Sequence, residues 1–268
     1  VCEAAADCNV LTVDIMHGIH KFGVDDGSYF LRMSYRAAKQ NGWPDLMGCW
    51  DLHSYQQLKE NRGEYTVPFI LGHPATTDVG INANNKRSKI LLFALQYKQR
   101  GSTDFHPIPK VLIEFIKDRK DLRLWIRIHP LLMRMSPKHI RDVQKKLHDL
   151  FADHENVNWE KPSSMSLIKA LQESKVHLTV ASSSTFEAMQ IGVPCGIFDD
   201  IDRHGKPFNR FFKHLITSGD VKLLPMDSKE DLKEFVDNLE NKEYTDVSVS
   251  KNYTSEFVDN VAACLNDK

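Results

Sequence analysis

Short β-branched apolar runs alternate along the chain with longer stretches of helical hydrophobic spacing. The first runs lie at residues 10–13, 46–49 and 67–71, with helices expected between them at 29–40 and 52–61. Gly42-Trp43-Pro44 interrupts the pattern before the second run, and Gly72-His73-Pro74 ends it after the third. A polar stretch, 76–88, follows. Residues 89–95 (Lys-Ile-Leu-Leu-Phe-Ala-Leu) form a continuous apolar run, as expected of a strand covered on both faces. Further strands are expected at 122–128, 157–159, 176–180, 194–198 and 221–224. The spacing of Val111, Leu112, Phe115 and Ile116 predicts a helix over 107–117, and that of Ile140, Val143, Leu147 and Leu150 predicts one over 137–151. Helices are also expected at 166–173, 186–191, 228–239 and, in the tail, 250–265. This alternation predicts α/β layers around a mainly parallel sheet.

The polar stretch 76–88 is the expected linker and divides the chain into 1–75 and 89–268. The chain opens Val1-Cys2-Glu3, with no basic segment ahead of an apolar one, so it does not read as a secretory leader. It enters its first strand within ten residues, which predicts entry into the middle of a fold and a C-terminal piece of a longer protein.

Composition narrows the function classes. The 268 residues carry 35 Lys and Arg against 36 Asp and Glu, a net charge of −1, which excludes a globally polybasic nucleic-acid binder, and no nucleic-acid partner is expected. No run of about 20 apolar residues occurs, which excludes a transmembrane helix. The five cysteines are scattered and form no Cys-x-x-Cys pair, which argues against both a disulfide framework and a structural zinc site. The 12 His form no recognisable metal-binding pattern, and no metal is expected.

Ligands of open parallel sheets bind at the carboxyl ends of the strands. Four polar clusters follow predicted strands there: His17-Gly18, Gly72-His73-Pro74, Arg127-Ile128-His129-Pro130 and the stretch 182–187. In the last, Ser182, Ser183, Ser184 and Thr185 lead directly into a helix, where hydroxyls and exposed N–H groups make an anion site suited to a nucleotide phosphate. Glu187, in the first turn, is placed to accept from ribose hydroxyls. The competing reading is a helix capped by Ser183 or Ser184, with Glu187 closing a capping box. Arg127 and His129, two apart in a strand, share a face and can address one anion, or they are an exposed Arg and an ordinary surface His. An imidazole at His17, beside Gly18, suits a general base near neutrality, or is a loop histidine. Asp25-Asp26 reads as a solvated turn rather than a metal site. His73 is a candidate ligand contact at the entry to the linker, and Asp199 and Asp200 end a strand beside the nucleotide site. The Lys- and Arg-rich stretch 138–146 is either a solvated helix face or a contact for an anionic membrane surface.

Together these elements resemble the C-terminal part of GT-B glycosyltransferases, above all bacterial enzymes of surface-polysaccharide assembly. His17-Gly18 resembles the His-Gly motif of capsule and teichoic-acid polymerases. Arg127-Ile128-His129-Pro130 resembles the His-Pro motif shared by bacterial sialyltransferases and CDP-glycerol glycerophosphotransferases. Residues 182–188, followed by Gly192-Val193-Pro194, resemble the Ser-rich motif and the Glu-Ala…Gly-Val-Pro helix of nucleotide-sugar transferases. The likeness covers residues 10–200 and implies a complete Rossmann-like domain preceded by the last part of another.

It further implies a nucleotide-activated sugar as donor and a polysaccharide or glycolipid as acceptor. His129 and the hydroxyls of 182–185 would hold the donor phosphates, Glu187 the ribose, and His17 would act as general base, with no metal or cofactor and a cytoplasmic location at the membrane's inner face. The alternatives are polyol-phosphate transfer from a CDP-alcohol and a non-catalytic nucleotide- or polysaccharide-binding module. A sugar-nucleotide epimerase would share the two-domain fold, but the acidic constellation expected of one is not found.

Overall fold

A computed structural model describes residues 2–15, 43–72, 88–96, 105, 108–134, 136–180, 182–199, 212–239, 258–259 and 262. The chain divides into two compact units, Val1–Val79 with Ser250–Lys268, and Gly80–Val249.

In the first unit, helix α1 (Cys2–Asp7) precedes strands β1 (Val13–Ile15), β2 (Leu46–Cys49) and β3 (Val67–Ile70), with helix α2 (Leu52–Arg62) between the last two. The strands form a parallel sheet in the order β1-β2-β3, with Leu46 paired to both Val13 and Val67. β2, in the middle, is buried throughout. β1 begins later than the expected 10–13 because the chain is still leaving a turn there. Asn9 has φ of 54°, and the N–H of Val10 returns to the carbonyl of Ala5. Thr12 then pairs with Asp45, its N and Oγ1 each donating to Oδ2 at 2.8 Å, and the ladder starts at the next residue. Asp51 caps α2 by accepting from the N–H of Ser54 at 2.7 Å.

The second unit carries β4 (Ile90–Leu95), β5 (Arg123–Ile128), β6 (Val157–Asn158), β7 (Val176–Thr179), β8 (Cys195–Asp199) and β9 (Val221–Pro225). They lie in the order β6-β5-β4-β7-β8-β9, and every adjacent pair is parallel. Counted from β4 this is the order 3-2-1-4-5-6 of a Rossmann sheet, whose winding reverses between β4 and β7.

One face of this sheet holds Leu91, Phe93, Leu95, Leu124, Ile126, Ile128, Val176 and Leu178 against helices α3 (Lys110–Asp118), α5 (Pro137–Phe151) and α10 (Lys229–Asn238). The stripe predicted for 107–117 is the buried face of α3. Gly196 lets α10 approach: a Cβ there would lie 2.6 Å from Leu224, 2.9 Å from Leu178 and 2.9 Å from Phe235. At the end of α3, Asn156 Nδ2 donates to the carbonyls of Ile116, Arg119 and Leu122.

Short helices α4 (Pro130–Met133), α6 (Glu160–Ser164), α7 (Leu167–Gln172), α8 (Ser184–Gln190) and α9 (Lys213–Ser218) complete the described elements of the unit. α4, α6 and α9 span four to six residues, too few to show a helical period in sequence. The helix expected at 29–40 and the linker at 76–88, apart from Ser88, lie outside the described residues. No helix among the described residues is long and apolar enough to cross a membrane.

Candidate functional site

The register of the second sheet brings several strand ends to one rim. Leu95 at the end of β4 pairs with Ile128 of β5, and Ala94 pairs with Thr179 of β7. His129 and the loop at 182–183 therefore leave the sheet on either side of β4, at the reversal of winding. Asp199 ends β8 on the same rim, beyond the pairing of Ile197 with Thr179, and is buried.

His129 is half-buried and caps α4: its Nδ1 accepts the backbone N–H of Leu131 at 3.1 Å, and Pro130 occupies the first helical position. Burial lowers its pKa. Arg127 lies one step inside the strand. Its Nη1 donates to the carbonyl of Met165 at 2.7 Å and to that of Pro162, and burial lowers its pKa too. The N–H of Ile128 donates to Ser163 Oγ at 3.0 Å. Arg127 thus fastens α6 and the turn after it to the end of β5.

The hydroxyl loop is organised from within. Ser182 N donates to Thr179 Oγ1 at 3.1 Å, which donates to the carbonyl of Ala94 at 3.2 Å. Ser182 Oγ accepts from the N–H of Ser184 at 3.2 Å and lies 2.6 Å from Ser184 Oγ. Ser184 Oγ is 2.8 Å from Nε2 of His177, a fully buried residue of β7 whose pKa burial pushes down to about 3.

Ser183 stands at the N-cap of α8 in a helical conformation and makes no side-chain cap bond; Ser182 Oγ accepts the N–H of Ser184 instead. Thr185 is fully buried. Glu187 is 8% exposed, and burial pushes its carboxyl up to about 7. At the other end of α8, Gly192 takes φ of 74° and donates to Met189 O, while Val193 N donates to Ala188 O, a Schellman ending that accounts for the Gly-Val sequence.

The structure thus brings His129, Arg127, Ser182, Ser183, Ser184, Thr185, Glu187 and Asp199 into one unit. His17, Gly18, Asp25, Asp26, His73 and Asp200 lie outside the described residues. His177 was not singled out from sequence. Its only signal is a polar residue in the middle of an apolar strand.

A cavity of about 460 Å³ lies elsewhere, at the N-terminal ends of β8 and β9 against α10, with Pro194, Lys222, Asp231 and Phe235 among its lining residues. Among the described residues, no group of three or more His, Cys, Asp or Glu is arranged to hold a metal ion.

No sequence-family model matches this chain, and no curated protein matches it. Solved structures do match in fold. MnaA of S. aureus, in complex with UDP, aligns over 98% of this chain and 72% of its own, with a TM-score of 0.62 at 15% identity. The wall teichoic acid polymerase TagF aligns over 94% of this chain and 68% of its own, with a TM-score of 0.60 at 14% identity. The calicheamicin glycosyltransferase CalG4 aligns over 90% and 62%, with a TM-score of 0.51 at 14% identity. The chain spans 61% of a Listeria monocytogenes chain of the same fold. Its fold is therefore the α/β, Rossmann-like GT-B type, with the fold of nucleotide-sugar enzymes among its structural neighbours.

Proposed function

We propose that this chain binds a nucleotide-activated sugar on its second unit and takes part in transferring the sugar to a cell-surface polysaccharide or glycolipid. The observation that carries the reading is the convergence of His129 and the Ser182–Ser184 hydroxyls on the two sides of β4, where the sheet reverses its winding. A crevice at such a point accepts a nucleotide, with its phosphates against hydroxyl and N–H donors.

In this reading His129 and the hydroxyls of Ser182 and Ser183 hold the donor phosphates, the buried Ser184 and Thr185 support that loop from beneath, and Glu187 accepts from the ribose. Arg127 keeps the β5 end in place and adds positive charge near the phosphates. His17 acts as general base on the acceptor, with Gly18, His73, Asp199 and Asp200 at the margins. The leaving diphosphate is stabilised by these oriented donors without a metal. The reaction would run at the cytoplasmic face of the membrane, with the exposed cations of α5, Lys138 and Arg141, as a peripheral contact.

Titration calorimetry with UDP, CDP and CMP tests the reading. Binding of at least one, weakened by His129→Ala, is expected; absence of binding at millimolar concentration removes it.

The likeness to the teichoic acid polymerase supports a second reading, transfer of a polyol phosphate from a CDP-alcohol. New phosphodiester linkages in the product would select it over glycosidic ones. A product isomeric with the donor would instead mean epimerisation. Nucleotide binding without donor turnover, even with acceptor present, would leave a binding module.

A further inference from the structure

We propose that His177 is a positioning residue, whose imidazole in the Nε2–H form orients Ser184 so that Ser182 presents its hydroxyl hydrogen to a phosphate oxygen of the nucleotide. This rests on the function proposed above and extends it to a residue that does not itself touch the ligand.

The argument is a count of hydrogens. His177 lies in the middle of β7, between Leu92 of β4 and Cys195 of β8, with no exposed surface. Its Nε2 lies 2.8 Å from Ser184 Oγ, while its Nδ1 has no partner. If the proton were on Nδ1, the protein would bury an N–H with no acceptor, which carries the full desolvation cost of an unmade bond. With the proton on Nε2, the hydrogen goes to Ser184, and only a lone pair is left unpartnered.

Ser184 Oγ, having accepted that hydrogen, gives its own to Ser182 Oγ at 2.6 Å. Ser182 Oγ also accepts the N–H of Ser184 at 3.2 Å. Both of its lone pairs are then occupied, and its own hydrogen is what it has left to offer. A hydroxyl restricted to donating needs a partner that accepts, and the charged phosphoryl oxygens are among the strongest acceptors. The loop's backbone is anchored separately, through Thr179 to the carbonyl of Ala94, so the relay through His177 governs the hydroxyl rather than the path of the chain.

Nitrogen NMR of the imidazole in the unliganded chain reads the first step directly. Nε2 is expected to carry the proton between about pH 5 and 8. His177→Leu, which keeps the volume and removes the donor, is expected to weaken binding of UDP or CDP about tenfold and binding of the corresponding nucleoside less than about twofold. His177→Gln, whose amide nitrogen can take the place of Nε2, should restore affinity to within about threefold of the parent. Ser184→Ala should match His177→Leu, and the double variant should lose no more than either alone.

A proton on Nδ1, equal affinities for the Leu and Gln variants, or additive losses would each overturn the proposal. If His177→Leu does not fold, the NMR measurement and Ser184→Ala still decide it. A proton on Nδ1 in a chain that binds UDP or CDP defeats this proposal alone. A proton on Nε2 in a chain that binds no nucleotide defeats the proposed function and, with it, the assignment of the hydroxyl to phosphate.

Discussion

Leu131 donates its backbone N–H to Nδ1 of His129 at 3.1 Å, which places the proton of the neutral imidazole on Nε2. Burial lowers the pKa of this ring, so it stays neutral at pH 7. In the proposed function its role at the nucleotide is that of a donor through Nε2. The stabilising contribution of a ring with a lowered pKa is present above the ordinary histidine value and is lost as pH falls through the folded one. His129→Ala removes the donor and the cap together, and should weaken nucleotide binding roughly tenfold and cost about 1 kcal/mol of stability. His129→Asn keeps a side-chain acceptor for Leu131 without the reach of the ring, so the thermal midpoint should recover while the affinity does not. Unchanged affinity in both variants would take His129 out of the site.

Glu187 links pH to stability in the opposite direction. Burial pushes its carboxyl from the ordinary 4.5 up to about 7. The protonated form is the one that suits the folded protein, so its contribution is full below about pH 4.5 and is lost as pH rises through about 7. The change is roughly 3 kcal/mol across that window, at about 1.4 kcal/mol per pH unit. Denaturant titrations at several pH values should show stability falling over this range in the parent, with a shallower fall in Glu187→Gln. A parallel fall in the two proteins would mean that other groups set the slope.

Arg127 behaves as a fastener in the geometry, with Nη1 committed to one carbonyl within α6 and one just after it. Arg127→Ala should lower stability by about 2–3 kcal/mol, since the lost bonds are to a charged donor and are half-buried. Lys should recover only part of it, lacking the guanidinium's planar array of donors. Affinity for UDP falling a hundredfold at an unchanged thermal midpoint would instead put Arg127 on the phosphate itself.

Two glycines set the boundaries of the site's support. Gly192→Ala forces a side chain into φ of 74° and should cost about 1 kcal/mol. Gly196→Ala presses a methyl group against Leu224, Leu178 and Phe235 and should cost roughly 1–3 kcal/mol. Calorimetric melts of both variants check these values, and neither change should alter the imidazole tautomer of His177.

Some elements were legible residue for residue. β2 at Leu46–Cys49 and α5 at Pro137–Phe151 matched their expected bounds because each had its own punctuation. Pro44 precedes the strand, and Ser136-Pro137 opens a helix with a clear apolar stripe. The strand ends that carry Arg127, His129 and Ser182 were also readable, since polar residues follow apolar runs there. The side chains' duties were less so. Arg127 spends Nη1 on carbonyls in and just after a helix too short to show a period, and Ser182 takes the capping role that spacing had assigned to Ser183 or Ser184. His177 was invisible as a participant because its partner comes from α8, beyond the loop, and only the folded packing brings the two together.

The placement of β4 also governs when the protein can assemble. As the first strand of its unit it pairs early with β5, but its other neighbour, β7, arrives with a contact 85 residues away, between Ala94 and Thr179. Closing so distant a pairing costs chain entropy before any burial offsets it. During synthesis the most apolar strand of the sheet therefore waits with one edge open until residues 176–179 emerge. That interval leaves an unpaired strand edge on which another chain could pair.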